Sequence, residues 1–478
     1  MSEQLLLQGQ ILGIEEFLLS PSESGTTGAD DSELLSGRSQ WITLLCEVLP
    51  RALLAELGLA RILLGSSGGG QFLLILPLEA RQRADNFLQA AAGEIRRMSR
   101  NNLSLLWGKT EILGDWSTVR KRLSGELKRK NGAPLAAAEA SPFEPFVSES
   151  GASSDEYFAS ELGHAIRGTS QTGWSPETPG KVLLDAGKHR WQLSSNLSSD
   201  GIAIARHAAP DDDGGRVASL AALASRAEGR CAWGVLRGDV DNFGIRLRRL
   251  HNIEEHVQLS VLYKQFFAGE LEVLCSLPEF WRKVSILYAG GDDFAVYGAW
   301  DALIPLAREI QRLFHRFAEE NLKEFPGPEG KTISMALAIA PEVDSSLGAV
   351  YQEAGRKLDL AKSTDKDCIY LLGRVLEWKH LAGASDLKDM VARMVSGSRH
   401  SRQFLYDLEA LYRKASGSQK MWRFHRRFQR VLGGTRDREL QKLRSHIISE
   451  PPTRSGTDIK LRPAGLVALE WAKMATEV

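Results

Sequence analysis

The sequence predicts an α+β chain: two ferredoxin-like βαββαβ domains packed as a pseudo-dimer, with a small connecting domain between them and a helical C-terminal domain after them. Three observations predict it. A strand–helix–strand–strand–helix–strand order of apolar periodicities runs over residues 1–130 and recurs over 230–373. Each copy carries a Gly-rich hairpin between its two helices. Residues 374–478 hold helical patterns broken only by short polar stretches.

In the first copy, Leu5-Leu6-Leu7 and Ile11-Leu12-Gly13-Ile14 read as a strand, and Ser39 to Leu59 as a helix with apolar residues at helical spacing and no internal Gly before Gly58. A hairpin follows: Ala60 to Leu64, a turn over Gly65-Ser66-Ser67-Gly68-Gly69-Gly70, then Gln71 to Pro77. A helix from Ala80 to Met98 and a strand from Leu103 to Trp107 complete the unit. Between 131 and 229 the periodicity weakens. One helix is expected from Ser154 to Arg167, and the rest, including Asp211-Asp212-Asp213, reads as solvated loop.

The second copy runs strand Cys231 to Arg237, helix Glu254 to Cys275, strands Val284 to Tyr288 and Phe294 to Tyr297, helix Asp301 to Asn321, strand Ile333 to Ile339 and helix Leu347 to Lys362.

Composition bounds the function. With 478 residues the chain exceeds one core. Its 43% hydrophobic and 25% charged residues, and 60 basic against 60 acidic side chains, describe a globular chain without a strong overall field, so nucleic-acid contact requires local patches. Two patches qualify: Lys121, Arg122, Lys128, Arg129 and Lys130, and the Lys420 to Arg430 segment, where Arg423, Arg426, Arg427 and Arg430 share a helix face. Both also suit an ordinary solvated helix.

The four cysteines, Cys46, Cys231, Cys275 and Cys368, form no CxxC pair, which argues against zinc and a disulfide framework and suggests buried thiols in a reducing compartment. Charges interrupt every apolar run short of a bilayer span, so no membrane association and a cytoplasmic location are expected.

The chemistry concentrates in the second copy. Trp233 to Arg237 runs into Gly238-Asp239-Val240-Asp241-Asn242-Phe243-Gly244, and the neighbouring hairpin carries Gly290-Gly291-Asp292-Asp293 at its turn. The first and third strands of a βαββαβ sheet are its central pair, so these acids meet at one edge. Carboxylate oxygens suit Mg²⁺ or Mn²⁺, and two such ions about 4 Å apart activate a hydroxyl and neutralise a pyrophosphate leaving group. Asp239 and Asp292 are the first candidates for metal ligands. Asp241 and Asp293 are the second, either as further ligands or as a catalytic group assisting deprotonation of the attacking hydroxyl. Gly290 and Gly291 leave room for substrate. Asn242, Phe243 and Gly244 lead into a helix whose N–H groups suit a triphosphate, and Lys362 is a candidate counter-charge. A plain Asp/Gly turn is the competing reading of the hairpin alone.

Taken together, Asp239 to Gly244, the Gly290-Gly291-Asp292-Asp293-Phe294 hairpin, the acid-free Gly68-Gly69-Gly70-Gln71-Phe72 hairpin, Gly13 to Phe17, Ala361-Lys362 and Trp378 resemble the large palm-polymerase subunit of type III CRISPR effector complexes, closest to the Csm type. The resemblance implies that both repeats are palm domains. It implies an RNA-activated nucleotidyltransferase that converts ATP to cyclic oligoadenylates with release of pyrophosphate. One ATP is then expected at the acidic hairpin and a second against Ser66, Ser67, Gly68, Gly69 and Gly70, where no catalysis occurs. The implied partners are the other effector subunits, including a small helical subunit and a guide-end-binding subunit, with guide RNA and target RNA. Many members carry an HD nuclease and four zinc cysteines; the ten histidines here include no His-Asp pair and residues 131–229 hold no Cys, so neither DNA cleavage nor zinc is expected. Two other readings compete: a diguanylate-cyclase-like enzyme using GTP, against which Asp293-Phe294 and the second palm stand, and a non-catalytic ribonucleoprotein scaffold, against which the clustered acids stand.

Overall fold

The structure is a computed structural model that describes residues 4–22, 31–132, 154–194, 201–364, 366–396, 402–415 and 463–477. The basic segment Lys420 to Arg430 lies outside the described residues.

The first palm consists of β1 (Gln4–Leu12), α1 (Ile14–Leu18), α2 (Asp31–Leu57), β2 (Leu64–Gly68), β3 (Gln71–Pro77), α3 (Arg81–Met98), β4 (Ser104–Glu111) and α4 (Trp116–Gly132). Its four strands lie in the order β2-β3-β1-β4, antiparallel throughout. The hairpin differs from the sequence expectation. Arg61–Leu63 is a single 3₁₀ turn, and the strand begins only at Leu64. Ser66 and Ser67 therefore pair with Leu73 and Phe72, and the turn shrinks to Gly69-Gly70, both at positive φ as a two-residue hairpin turn requires.

The interval expected to be loop holds a second kind of structure. After helical turns that open with α5 (Ser154–Glu156) and end at Arg167, four short strands, β5 (Gln171–Trp174), β6 (Leu183–Leu184), β7 (His189–Ser194) and β8 (Ile202–Ala203), form a sheet in the order β6-β5-β7-β8. Strands of two to six residues leave too few alternations to be read as periodic. Asp212 is fastened by Arg226 at 2.8 Å and Arg282 at 2.9 Å rather than merely solvated. Helix α6 (Leu220–Ser225) leads into the second palm.

That palm comprises β9 (Trp233–Val240), α7 (Phe243–Arg248), α8 (Ile253–Lys264), a π-helical turn Gln265–Glu270, α9 (Leu271–Cys275), β10 (Val284–Ala289), β11 (Asp293–Ala299), α10 (Trp300–Asn321), β12 (Ile333–Ile339) and α11 (Leu347–Thr364). The sheet order β10-β11-β9-β12 repeats that of the first palm, and it continues into β13 (Cys368–Leu371) and β14 (Arg374–Glu377). The sheet therefore crosses the boundary expected at residue 373. Helices α12 (Trp378–Ser396), α13 (Arg402–Ala415) and α14 (Pro463–Thr476) follow.

Both faces of the second sheet are buried. Leu236 and Val240 join the core beneath α8, α10 and the C-terminal helices, while Trp233 and Val235, on the opposite side of β9, join the core that holds α2 and α3. The palms share this second core, and their contacts are reciprocal: α2 packs on β10, and α8 packs on β2. Cys46, Cys275 and Cys368 are buried as expected of isolated thiols, whereas Cys231 is exposed.

Candidate active site

Strand β9 is central because β11 and β12 pair with it on either side, and its apolar residues are buried on both faces. Its register sets Asp239 opposite Asp293 of β11 and opposite Ser334 of β12. β9 continues three residues beyond the expected Arg237, so Asp239 stands on the strand and inherits its rigidity. Asp292 follows the Gly290-Gly291 tip, and its carbonyl accepts from Val240 N at 2.9 Å, which ties the turn to the end of β9. A Cβ on Gly290 would collide with the Asp293 carboxylate.

The three carboxylates are unevenly supported. Lys362 Nζ bonds Asp239 Oδ1, and Tyr288 OH donates to Asp293 Oδ2 at 2.9 Å. Burial raises all three carboxyls above their ordinary range, and for Asp292 the neighbouring Asp293 and Asp239 add to it, pushing it up to about 8. Arg237, two residues before Asp239, lies over the Tyr351 ring at 4.1 Å, and Tyr351 meets Tyr288 edge-on at 6.2 Å.

Two cavities flank these acids. One of about 280 Å³ is lined by Asp239, Asp292, Asp293, Tyr288 and Tyr351 from the second palm and by Ile14, Ser39, Thr43, Gly69 and Gly70 from the first. A smaller one of about 120 Å³ is lined by Ser66, Ser67, Gly68, Glu47, Lys264 and Phe243, with Gly290, Gly291 and Asp292 across it. The two hairpin tips separate them, Gly69 touching Gly291 so closely that a Cβ on Gly69 would come within 3.4 Å of the Gly291 nitrogen.

Not every expected residue reaches this place. Asp241 is 1% exposed, and its oxygens accept from Thr332 Oγ1 at 2.8 Å, Ser334 Oγ at 2.8 Å and Asp367 N at 2.9 Å. It braces the end of β9 and lines neither cavity, so its expected place among the metal ligands is corrected. The strand stops at Val240 and Asn242 turns to φ 59°, which breaks the two-residue alternation that would keep Asp239 and Asp241 on one face. Asn242 is bonded by Lys366, and neither it nor Gly244 lines a cavity. Lys362 reaches a carboxylate, not open space. Residues that sequence reasoning missed are Tyr288, Arg237, Tyr351, Glu47 and Lys264. Arg237 and Tyr288 sat two residues from Asp239 and Gly290 and were readable by strand alternation; the other three arrive from distant segments.

In the first palm, amides replace the acids. Gln71 of β3 pairs with Gln10 of β1 where Asp293 pairs with Asp239, and Gln8 Nε2 donates to Gln71 Oε1 at 2.8 Å. Gly9 beneath Phe72 repeats Gly238 beneath Phe294.

The donor set fits a divalent cation. Among the described residues no three Cys, His, Asp or Glu side chains converge on a metal position, but Mg²⁺ takes only one or two protein carboxylates with substrate phosphates, and three half-buried acids facing one lysine lack positive charge.

Two family models match the chain: Cas10/Cmr2, second palm domain, over residues 232–370, and Csm1 subunit domain B over residues 3–126. The CRISPR system single-strand-specific deoxyribonuclease Cas10/Csm1 (subtype III-A) of Mycobacterium tuberculosis is 23% identical over 443 residues, covering 75% of this chain and 52% of the relative. That of Enterococcus italicus is 28% identical over 204 residues, covering 41% and 25%. The chain thus spans from a quarter to about half the length of these relatives. Among solved structures, the apo Csm1-Csm4 cassette has a TM-score of 0.76 at 17% identity, covering 99% of this chain and 70% of the other, and the cassette with one ATP has 0.74 at 18%, covering 99% and 70%. The cassette with cA4 has 0.72 at 17%, with the same coverage. At these identities the likeness is one of fold.

Proposed function

The chain belongs to the Csm-type Cas10 subunits of type III CRISPR systems, and on that premise we propose that it joins ATP into cyclic oligoadenylates at the second palm, within an RNA-guided effector complex. The observation that carries this reading is the register of Asp239 against Asp293, with Asp292 at the turn and the acid-free hairpin of the first palm on the far side of the cleft. The two palms act as a pseudo-dimer: the acidic palm holds the nucleotide that loses pyrophosphate, and the first palm presents the nucleotide whose 3′-hydroxyl attacks.

Asp239 and Asp292 would hold Mg²⁺ or Mn²⁺, which when bound supplies charge neutralisation at the triphosphate and acidifies the attacking hydroxyl. Asp293, held by Tyr288, keeps the third carboxylate in a fixed rotamer beside Asp239. Lys362 keeps Asp239 ionised and oriented. Gly290 and Gly291 let phosphate approach the backbone, and Tyr288 and Tyr351 with Ile14 give the cleft an apolar wall suited to a base. The neighbouring structures bind one ATP and cA4 and pair with Csm4, which supports ATP as substrate and a guide-end-binding subunit as partner; a small helical subunit, guide RNA and target RNA complete the proposed complex. Exposed Lys121, Lys128 and Arg129 on α4 remain available to nucleic acid, whereas Lys130 is taken up by the Trp107 carbonyl and ring. The deoxyribonuclease activity in the relatives' names is not assigned to these residues. Among the described residues no helix is long and apolar enough to cross a membrane.

The test incubates the chain, alone and in guide complex with target RNA, with labelled ATP or GTP and Mg²⁺ or Mn²⁺. Adenylate rings that vanish in an Asp292→Ala, Asp293→Ala variant are expected. Cyclic diguanylate from GTP, or no product under any condition, overturns the reading.

A further inference from the structure

On the first-palm side of the smaller cavity, the carboxylate of Glu47 pairs with two cations, Arg51 behind it and Lys264 on the cavity wall. Glu47 and Arg51, one turn apart on α2, are 2% and 5% exposed and pair at 2.6 Å. Lys264, the last residue of α8, crosses from the second palm to the other oxygen of the same Glu47 carboxylate at 2.5 Å. Its ammonium also donates to Ser67 Oγ at 3.2 Å, and Ser67 Oγ in turn donates to Glu47 Oε2 at 3.0 Å. A buried guanidinium and a half-buried ammonium thus share one anion, and Arg51 Nε has no hydrogen-bond partner. Burial works against the ionised Glu47, but Lys264 and Arg51 more than offset it and draw the carboxyl down to about 2. The carboxylate stays charged, and burial draws the Lys264 ammonium below its ordinary range, as expected of a cation short of anionic partners. Burying such a cation is costly unless an anion completes its pairing.

The place for that anion is open. Lys264, Ser66, Ser67 and Gly68 line the 120 Å³ cavity, with Gly290, Gly291 and the metal-seeking Asp292 across it. An ammonium has three donors, of which Glu47 and Ser67 take two. We propose that Lys264 is a phosphate-binding residue for the nucleotide that lies against the first palm, and that Glu47 holds it in place until that nucleotide arrives. The inference rests on the reading of the chain as an ATP-joining enzyme and names the phosphate partner of its second nucleotide. Glu47 keeps Arg51 when Lys264 turns to the phosphate, so the exchange leaves no carboxylate bare.

The experiment titrates the full chain with a non-hydrolysable ATP analogue by calorimetry and measures ATP turnover in the RNA-activated complex. Wild type is expected to show two binding events, one of which is lost in the Asp292→Ala, Asp293→Ala variant. Lys264→Gln weakens the other event by about tenfold to a hundredfold, the range of a lost charge-assisted hydrogen bond, and raises KM with it. Lys264→Arg restores part of the loss. Glu47→Gln releases the lysine and tightens the same event several-fold, which a merely structural pin would not do; this variant carries the test if Lys264→Gln does not fold. Unchanged binding in Lys264→Gln, or Glu47→Gln weakening the event as Lys264→Gln does, overturns the inference while wild-type product leaves the function standing. A wild-type chain that binds no analogue and makes no product overturns both.

Discussion

Gly238 lies flat beneath the ring of Phe294, where a Cβ would run into the aromatic carbons. The pair sits next to Asp239 and Asp293, so the same cross-strand contact that seals the sheet also spaces its acids. Gly238→Ala is expected to destabilise the chain by about 1–3 kcal/mol through overpacking and to lower turnover by displacing Asp239. Gly93, inside α3 with nothing near its Cβ position, is the control: Gly93→Ala should stabilise by roughly 0.5–1 kcal/mol. Thermal denaturation of both variants, with turnover assayed alongside, decides whether the Gly238 contact matters.

How much of this was legible in the sequence depended on range. The acidic hairpin could be read because alternating apolar residues and a Gly-Gly-Asp-Asp turn are local signals, and the recurrence of the pattern pointed to two palms. The start of β2 was misplaced because Arg61-Ile62-Leu63-Leu64 is apolar enough for a strand, and Ile62 is in fact 88% exposed in a 3₁₀ turn. Asp241 misled because spacing alone puts it beside Asp239; the positive φ of Asn242 that turns the chain is a tertiary outcome. Glu47 and Lys264, or Tyr288 and Tyr351, meet only once two distant segments are packed, and no local period records that.

Tyr288 is the sole donor to Asp293 outside the backbone among the described contacts. Tyr288→Phe keeps the ring against Tyr351 and removes only that hydroxyl. Turnover should fall about tenfold, with stability changed by roughly 0.5–1.5 kcal/mol, the net worth of one hydrogen bond. Steady-state kinetics and urea unfolding on the same preparation check it, and unchanged kcat would show that Asp293 needs no fixed rotamer.

His207 and His256 give the chain a defined acid sensitivity. Burial holds both near 4, below the unfolded value of about 6.5. The unfolded chain therefore binds protons more readily between these values, so the stability these groups contribute is complete above pH about 6.5 and is lost as pH falls toward 4. Each group contributes up to about 3 kcal/mol at 1.4 kcal/mol per pH unit. His207→Gln should flatten the urea midpoint between pH 7 and pH 4.5, and a midpoint profile identical to wild type would remove His207 as a source.

Clustering Asp239, Asp292 and Asp293 with Lys362 as the one ion-paired cation among the described residues stores repulsion that the fold tolerates for the sake of the site. The first palm shows the relaxed alternative, with Gln10 and Gln71 at the paired positions. Asp292→Asn removes the carboxylate that burial and its two acidic neighbours oppose most. In chelator and at neutral pH, this variant should unfold at a higher temperature than wild type, a gain of roughly 0.5–2 kcal/mol of the kind seen when a functional charge is neutralised. Adenylate synthesis should be lost in the same variant. If Asp292→Asn were less stable than wild type, the three acids would have to be paying for themselves in folding, and the reading of the hairpin as a cation-seeking site would lose its energetic support.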